Sequence, residues 1–355
     1  MGKIAFVYPG QGTQFVGMGK ELYENNLKAK ELFDKIFSSL DIDLKKVMFE
    51  GPEDLLKRTD YTQPAIVSLS LVLTELLKET GVKPDYVAGH SVGEFAAFGG
   101  ANYLSVEDAV KLVAARGRIM KEVAEKVNGS MAAVLGMDAE KIKEVLKSVD
   151  GVVEAVNFNE PNQTVIAGEK EAVEKACVAL KDAGAKRALP LAVSGPFHSS
   201  LMKEAGEQLK VEAQNYNFNI TDVKIIANTT AELLETDAEV KEEIYKQSFG
   251  PVKWVDTINK LKALGVTKIY EIGPGKVLAG LIKKIDKERW WFIVKKIIFL
   301  LAFLLGSLLS AAQQNVVNVS FLGLPLYSNR NRLNSSSIID FNNHSLIFIS
   351  DQKDW

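Results

Sequence analysis

Tyr86-Val87-Ala88-Gly89-His90-Ser91-Val92-Gly93-Glu94-Phe95-Ala96-Ala97-Phe98-Gly99-Gly100 decides the fold class of this chain. Pro84-Asp85 introduces an apolar run of strand length, Tyr86 to Gly89, and a small-residue run of helix character follows from Phe95. The order is strand, sharp turn, helix. Between them lies Gly-x-Ser-x-Gly, whose glycines permit a strained turn that lifts a serine hydroxyl above a sheet edge. A bare match to that pentapeptide is as often an ordinary glycine-flanked turn, but the strand before it and the helix after it favour a nucleophile elbow. The helix N-terminus behind Ser91 also offers backbone N–H groups and a positive dipole end to a developing oxyanion.

Working outward, Ile4 to Tyr8 is an apolar run stopped by Pro9-Gly10, which reads as a buried strand emptying into the loop Gly10-Gln11-Gly12-Thr13-Gln14. Helical patterns dominate from there to Thr80, and a further helix covers Val110 to Met120. From Gly129 the periodicity changes. Met131–Leu135 reads as a strand, Ala139–Lys147 as a helix, Val152–Val156 and Thr164–Ala167 as strands, Glu169–Asp182 as a helix and Ala188–Val193 as a strand. That βαββαβ order is the split pattern of a ferredoxin-like unit, and it interrupts an α/β pattern that resumes at Val223–Ala227. The large domain closes with a strand at Lys268–Ile272, Gly273-Pro274-Gly275 and a helix from Lys276. The expected organisation is an α/β domain from residues 1–128 and 196–285, a ferredoxin-like insert at 129–195, and an atypical tail at 286–355.

At 355 residues a sizeable core is readily buried. Forty-three basic residues nearly balance forty-five acidic ones, so no global field steers the chain onto nucleic acid, and charge selectivity must be local. The single cysteine, Cys177, excludes a disulfide within the chain and reads as a small buried thiol. The N-terminal apolar run is too short for a signal-peptide core, so the enzyme part is expected in the cytosol.

A serine at neutral pH needs a base, and histidine is the usual one. The chain has three. His90 adjoins Ser91 and points to the opposite face if it ends the strand; His344 lies in the tail. Elimination leaves His198, in the Gly-Pro loop Gly195-Pro196-Phe197-His198, against the plainer reading of an exposed or capping histidine. Arg116, among small residues in Ala114-Ala115-Arg116-Gly117, could grip a carboxylate bidentately, although on the residues alone a solvated surface arginine is the better reading. Gln11 sits in a Gly-x-Gly loop whose amides could face the elbow or cradle a phosphate, but the rest of a dinucleotide fingerprint does not follow.

Taken in order, Pro-Gly-Gln-Gly-Thr-Gln at 9–14, Thr62-Gln63-Pro64-Ala65, Gly-His-Ser-Val-Gly-Glu at 89–94, Arg116, Val156-Asn157-Phe158-Asn159, Gly195-Pro196-Phe197-His198, Pro251-Val252-Lys253-Trp254 and Glu271-Ile272-Gly273-Pro274-Gly275-Lys276 resemble the malonyl-CoA:acyl carrier protein transacylases of type II fatty acid synthesis, from about Ile4 to Ile285. The resemblance implies a hydrolase-like α/β domain with a ferredoxin-like insert. It also implies ping-pong transfer of malonyl from malonyl-CoA through Ser91 to acyl carrier protein, with His198 shuttling the proton and no cofactor or metal. By the same resemblance the backbone amides of Gln11 and Val92 form the oxyanion hole, Arg116 binds the malonyl carboxylate, the main-chain carbonyl of Gln247 orients the imidazole, and Phe197 selects malonyl over methylmalonyl. A serine hydrolase of a carboxylated thioester or ester is the alternative; the histidine's position and the absence of a His-Gly-Gly-Gly loop weigh against it. A fold retained without activity is a second alternative, opposed by the intact Ser91, His198 and Arg116.

The tail departs from that family. Tryptophans at 290 and 291, two lysines and an apolar run from Ile297 to Ala312 look like a membrane segment with interfacial anchors. Sixteen helical residues rise only about 24 Å, against roughly 30 Å of hydrocarbon. A membrane tether at 290–312 and a buried helix therefore both fit, and the Asn- and Ser-rich stretch from Asn329 reads as disordered. The run with the strand-like Val316–Leu322 faintly resembles a small bacterial inner-membrane protein, so a fusion or a frameshifted gene end is a further expectation.

Overall fold

The computed structural model describes residues 2–286, 319–321 and 324–326. The chain divides into two compact units, Met1–Ile297 and Ile298–Trp355. Among the described residues of the first, nine strands run in chain order as Lys3–Tyr8 (β1), Tyr86–Gly89 (β2), Gly129–Leu135 (β3), Val153–Glu160 (β4), Gln163–Glu169 (β5), Arg187–Pro190 (β6), Lys224–Ile226 (β7), Leu233–Leu234 (β8) and Val266–Glu271 (β9). In the second, Val319–Phe321 and Leu324–Leu326 pair antiparallel. The expected membrane segment at 290–312 and the Asn- and Ser-rich stretch from residue 329 lie outside the described residues. No helix among the described residues is long and apolar enough to cross a membrane.

The larger sheet has the order β8-β7-β2-β1-β9, parallel throughout except for the antiparallel pair β7 and β8. Its central strands are continuously apolar because helices cover both faces. From Ala5 to Tyr8 every residue of β1 is fully buried. Ala5, Val7 and Ala88 pack on one side with Trp254, Ile258, Leu261, Leu278 and Ile282. On the other, the Tyr8 hydroxyl accepts a hydrogen bond at 3.1 Å from Thr74 of the helix Thr59–Glu79.

The smaller sheet, β4-β5-β3-β6, is antiparallel and forms entirely from residues 129–190. The helices Ala139–Leu146 and Lys170–Asp182 complete its core, with Ile142, Val173 and Leu180 against Ala132, Val134 and Ile166. Element order and strand order are those of the split βαβ unit read from the sequence.

Within this unit two strand ends lie three or more residues from expectation, each for a backbone reason. The second strand of the unit runs to Glu160 rather than Val156, because the Val252 segment of the large domain pairs with it. Val252 N–H donates to Val156 O at 2.8 Å, and Phe158 N–H donates to Val252 O at 2.9 Å. The last strand ends at Pro190 rather than Val193: Leu191 N–H still donates to Met131 O at 2.9 Å, but the chain then turns, Val193 N–H donating to Leu191 O at 3.0 Å. The sequence reading also gave no strand at Leu233–Leu234, whose two residues are too short to leave a periodic signal.

Candidate active site

The elbow is built by contact as much as by conformation. Ser91 itself takes the left-handed backbone, φ 53°, which costs an L-residue about 1–2 kcal/mol. Its glycines supply room instead. A Cβ on Gly89 would lie 1.9 Å from the carbonyl carbon of Gly93, and one on Gly93 would lie 2.2 Å from Tyr8 O, so β2, the turn and the Gly93–Gly100 helix close on one another only without those methyls.

Asn228, buried just past β7, holds the strained turn from behind. Its Oδ1 accepts the Ser91 N–H at 2.7 Å, and its Nδ2 donates to Gly89 O at 2.7 Å. In turn the Asn228 N–H donates to Glu94 Oε1 at 2.9 Å.

Ser91 Oγ stands 2.7 Å from His198 Nε2. The other ring nitrogen faces two main-chain carbonyls, Gln247 O at 2.8 Å and Gly250 O at 3.2 Å. Carbonyls only accept, so Nδ1 carries the hydrogen and Nε2 presents a lone pair to the serine hydroxyl. His198 also adopts positive φ, 67°, fixed by its N–H donating to Ser248 O at 3.0 Å. It is buried, which excludes the exposed-histidine reading. Burial, and secondarily the Arg116 charge, hold its pKa down to about 3, so the imidazole is neutral at physiological pH.

Arg116 is buried at 1% exposure, so the solvated alternative is wrong. Its Nε and Nη2 donate to Gln247 Oε1 at 3.2 and 2.7 Å, and Nη2 also reaches Ser91 Oγ at 3.4 Å. Nη1 is buried with no partner among the described residues. The guanidinium lies 5.1 Å from the centre of the Phe95 ring, and burial lowers its pKa to about 9, which leaves it charged at neutral pH. A buried cation with an unused donor beside a serine–histidine pair is arranged to receive an anion.

The loop bearing Gln11 presses on the elbow: a Cβ on Gly10 would sit 2.9 Å from His90 O and 3.1 Å from His90 Nδ1. Neither the Gln11 N–H nor the Val92 N–H donates to a protein acceptor among the described residues. Phe197 is buried next to His198. His90 faces away from Ser91, donating from Nε2 to Asn159 Oδ1 at 2.7 Å, with its ring edge-on to Trp254. Among the described residues no group of three or more histidine, cysteine, aspartate or glutamate side chains is placed to hold a metal ion.

Three contributors escaped the sequence reading. Asn228 has no local motif and acts across 137 residues. The side chain of Gln247, read only for its carbonyl, ties Arg116 to the elbow by donating from Nε2 to Ser91 O at 2.7 Å. Glu94 stood inside the Gly-His-Ser-Val-Gly-Glu landmark without a role.

With this geometry in place, comparison with known proteins is decisive. The profile of the family described as acyl transferase domain matches residues 5–289. A malonyl CoA-acyl carrier protein transacylase of Bacillus subtilis is 47% identical over 291 residues, covering 81% of this chain and 92% of that protein. The chain belongs to the malonyl CoA-acyl carrier protein transacylase family. A second transacylase of the family, from Staphylococcus aureus, is 42% identical over 292 residues, 81% of this chain and 94% of its own. Among solved structures, an acyl carrier protein S-malonyltransferase from Vibrio cholerae superposes with TM-score 0.80 at 38% identity, covering 85% of this chain and 99% of its own. A malonyl-transacylase solved in complex with a type II PKS acyl-carrier protein gives TM-score 0.80 at 37% identity, covering 84% and 98%. The chain is thus an acyltransferase of this family, with an α/β fold as expected. The family match ends at residue 289, ahead of most of the tail.

Proposed function

We propose that this enzyme transfers malonyl from malonyl-CoA to the phosphopantetheine thiol of acyl carrier protein through an acyl-serine on Ser91. The observation that carries this is the buried, charged Arg116 with a free Nη1 beside the Ser91–His198 pair. In the first half-reaction Ser91 Oγ attacks the thioester carbonyl while its proton passes to His198 Nε2. The backbone N–H groups of Gln11 and Val92 stabilise the tetrahedral oxyanion, each donor contributing about 3 kcal/mol. The intermediate collapses, the C–S bond breaks, and His198 returns the proton to the departing CoA sulfur. In the second half the carrier thiol gives its proton to His198, attacks the acyl-serine, and Ser91 recovers the proton.

Arg116 holds the malonyl carboxylate, and the carbonyls of Gln247 and Gly250 keep the imidazole in the tautomer that accepts from serine. Phe197 selects malonyl over a branched homologue from its place beside His198. Malonyl-CoA is a substrate, and the route calls on no cofactor. A cytosolic setting follows from the acceptor, a carrier protein; the names of the relatives and the carrier complex of a structural neighbour support that partner.

The test is the intact mass of the protein after brief incubation with malonyl-CoA, beside Ser91→Ala and an acetyl-CoA control. A malonyl adduct on the wild type alone, discharged by a carrier-protein thiol, supports the proposal. Rapid loss of that adduct to water without an acceptor would establish the hydrolase instead, and no adduct at all would remove the activity.

A further inference from the structure

Buried carboxyl groups in this molecule are satisfied by different means. Glu271 caps a helix start, its two oxygens accepting the N–H groups of Leu278 and Ala279 at 2.9 and 2.8 Å. Both oxygens of Glu243 are engaged by the backbone and hydroxyl of Thr229. Glu94 has a weaker arrangement despite being fully buried. Oε1 accepts one N–H, that of Asn228, and Oε2 has no partner among the described residues.

An ionised carboxylate needs several donors once it leaves water, and one N–H of normal geometry with the Gln247 amide nearby does not provide them. A neutral carboxylic acid with the same contacts is far cheaper to bury. The charged groups acting on Glu94 come from two helices. Arg116, on Val106–Ala124, favours ionisation, and Glu243, on Asp237–Gln247, opposes it. Burial, reinforced by Glu243, outweighs the Asn228 hydrogen bond, the Gln247 side-chain amide and the Arg116 charge, and raises the Glu94 pKa well above the ordinary carboxylate range.

Two consequences meet at Ser91. The atom that Glu94 holds belongs to Asn228, whose side chain brackets the elbow at Ser91 N and Gly89 O. Arg116, the cation nearest in effect to Glu94, hydrogen-bonds only to neutral groups among the described residues. A carboxylate at position 94 would act as its counter-charge and weaken its pull on an incoming anion.

We propose that Glu94 is a positioning residue for the acyl transfer: as an uncharged acid it props Asn228 behind Ser91 and leaves Arg116 without an internal counter-ion. The inference rests on the malonyl-transfer reading for its second half. Its first half concerns the elbow alone.

Infrared difference spectra of wild type against Glu94→Gln at neutral pH test the charge, with Glu243→Gln as reference. The expected result is loss, in Glu94→Gln, of a carbonyl stretch from a protonated carboxyl. Loss of an ionised-carboxylate band instead, or disappearance of the protonated band only in Glu243→Gln, overturns the proposal. Turnover of malonyl-CoA tests the prop. Glu94→Gln retains the acceptor for the Asn228 N–H and keeps kcat within a few-fold, whereas Glu94→Ala lowers kcat roughly ten- to hundredfold with a smaller change in KM. Equal damage in both variants, with both folded, overturns the prop; should the alanine variant fail to fold, a Glu94→Gln kcat lowered tenfold or more overturns it alone. The infrared measurement reads the carboxyl whether or not any acyl group moves, so its failure is distinct from failure of the malonyl reading, which the Ser91 adduct decides.

Discussion

Replacing Arg116 by methionine keeps most of the side-chain volume in the pocket and removes only the charge and its donors. The guanidinium in the wild type is buried, is hydrogen-bonded to Gln247 and Ser91, and has Nη1 free. In the variant a malonyl carboxylate enters the same site without a partner, and an unpaired buried charge costs about 3–5 kcal/mol. At about 1.4 kcal/mol per decade that is a loss of between roughly a hundredfold and a few thousandfold in kcat/KM. The stranded Gln247 Oε1 adds about 1–3 kcal/mol, but that penalty falls on every acyl donor alike. The discriminating quantity is therefore the ratio of kcat/KM for malonyl-CoA to that for acetyl-CoA, which has no carboxylate. We expect that ratio to fall by two to three decades, with the acetyl reaction losing only the share common to both donors. Equal losses for both donors would refute the assignment of Arg116 to the acyl carboxylate and leave it a structural residue.

Further expectations concern the elbow and its base. Because Ser91 is left-handed, Ser91→Gly should be more stable than Ser91→Ala by about 1 kcal/mol in chemical unfolding, the reverse of an ordinary helical site; both variants lose the adduct. A Cβ at Gly89 meets backbone atoms at 1.9 and 2.1 Å, so Gly89→Ala should destabilise by at least the upper end of ~1–3 kcal/mol, read as a lowered denaturation midpoint. His198 has a folded pKa depressed to about 3, chiefly by burial. The unfolded chain takes up its proton near pH 6.5 and the native chain does not, so its contribution to stability is present above that pH and is lost as pH falls towards 3. In the kcat/KM profile the base stays available through pH 6; an inflection near 6.5 assigned to His198 by NMR titration would count against this.

What the sequence disclosed depended on how local each cause is. The elbow was legible because strand, glycine, serine, glycine and helix are contiguous, and the insert because six elements in order carry two alternating periodicities. His198 was found by scarcity, with three histidines in the chain. Arg116 was left ambiguous although a signal existed: Val113 and Met120, three residues before and four after it, lie on the buried stripe of the same helix, whereas Arg118 stands exposed and pairs with Glu122. Asn228 and the Gln247 side chain were invisible because their partners are brought near only by the closed fold. The glycines of the elbow were read as conformational hinges, but at Gly89 and Gly93 the requirement is space, and the unusual backbone belongs to the serine between them.

The pairing of Val252 with the fourth strand reaches further than the sheet edge it completes. The carbonyls that fix the His198 ring come from residues 247 and 250, and two residues later the same segment is stitched to Val156 and Phe158. Lys253 N–H then donates to Asn228 O at 2.9 Å, which returns to the elbow. The ferredoxin-like unit is thereby part of the jig that sets the histidine, rather than a module resting beside it. Anyone exchanging that unit between relatives should move residues 247–253 with it, since a graft cut at the chain boundaries alone would carry one half of a joint.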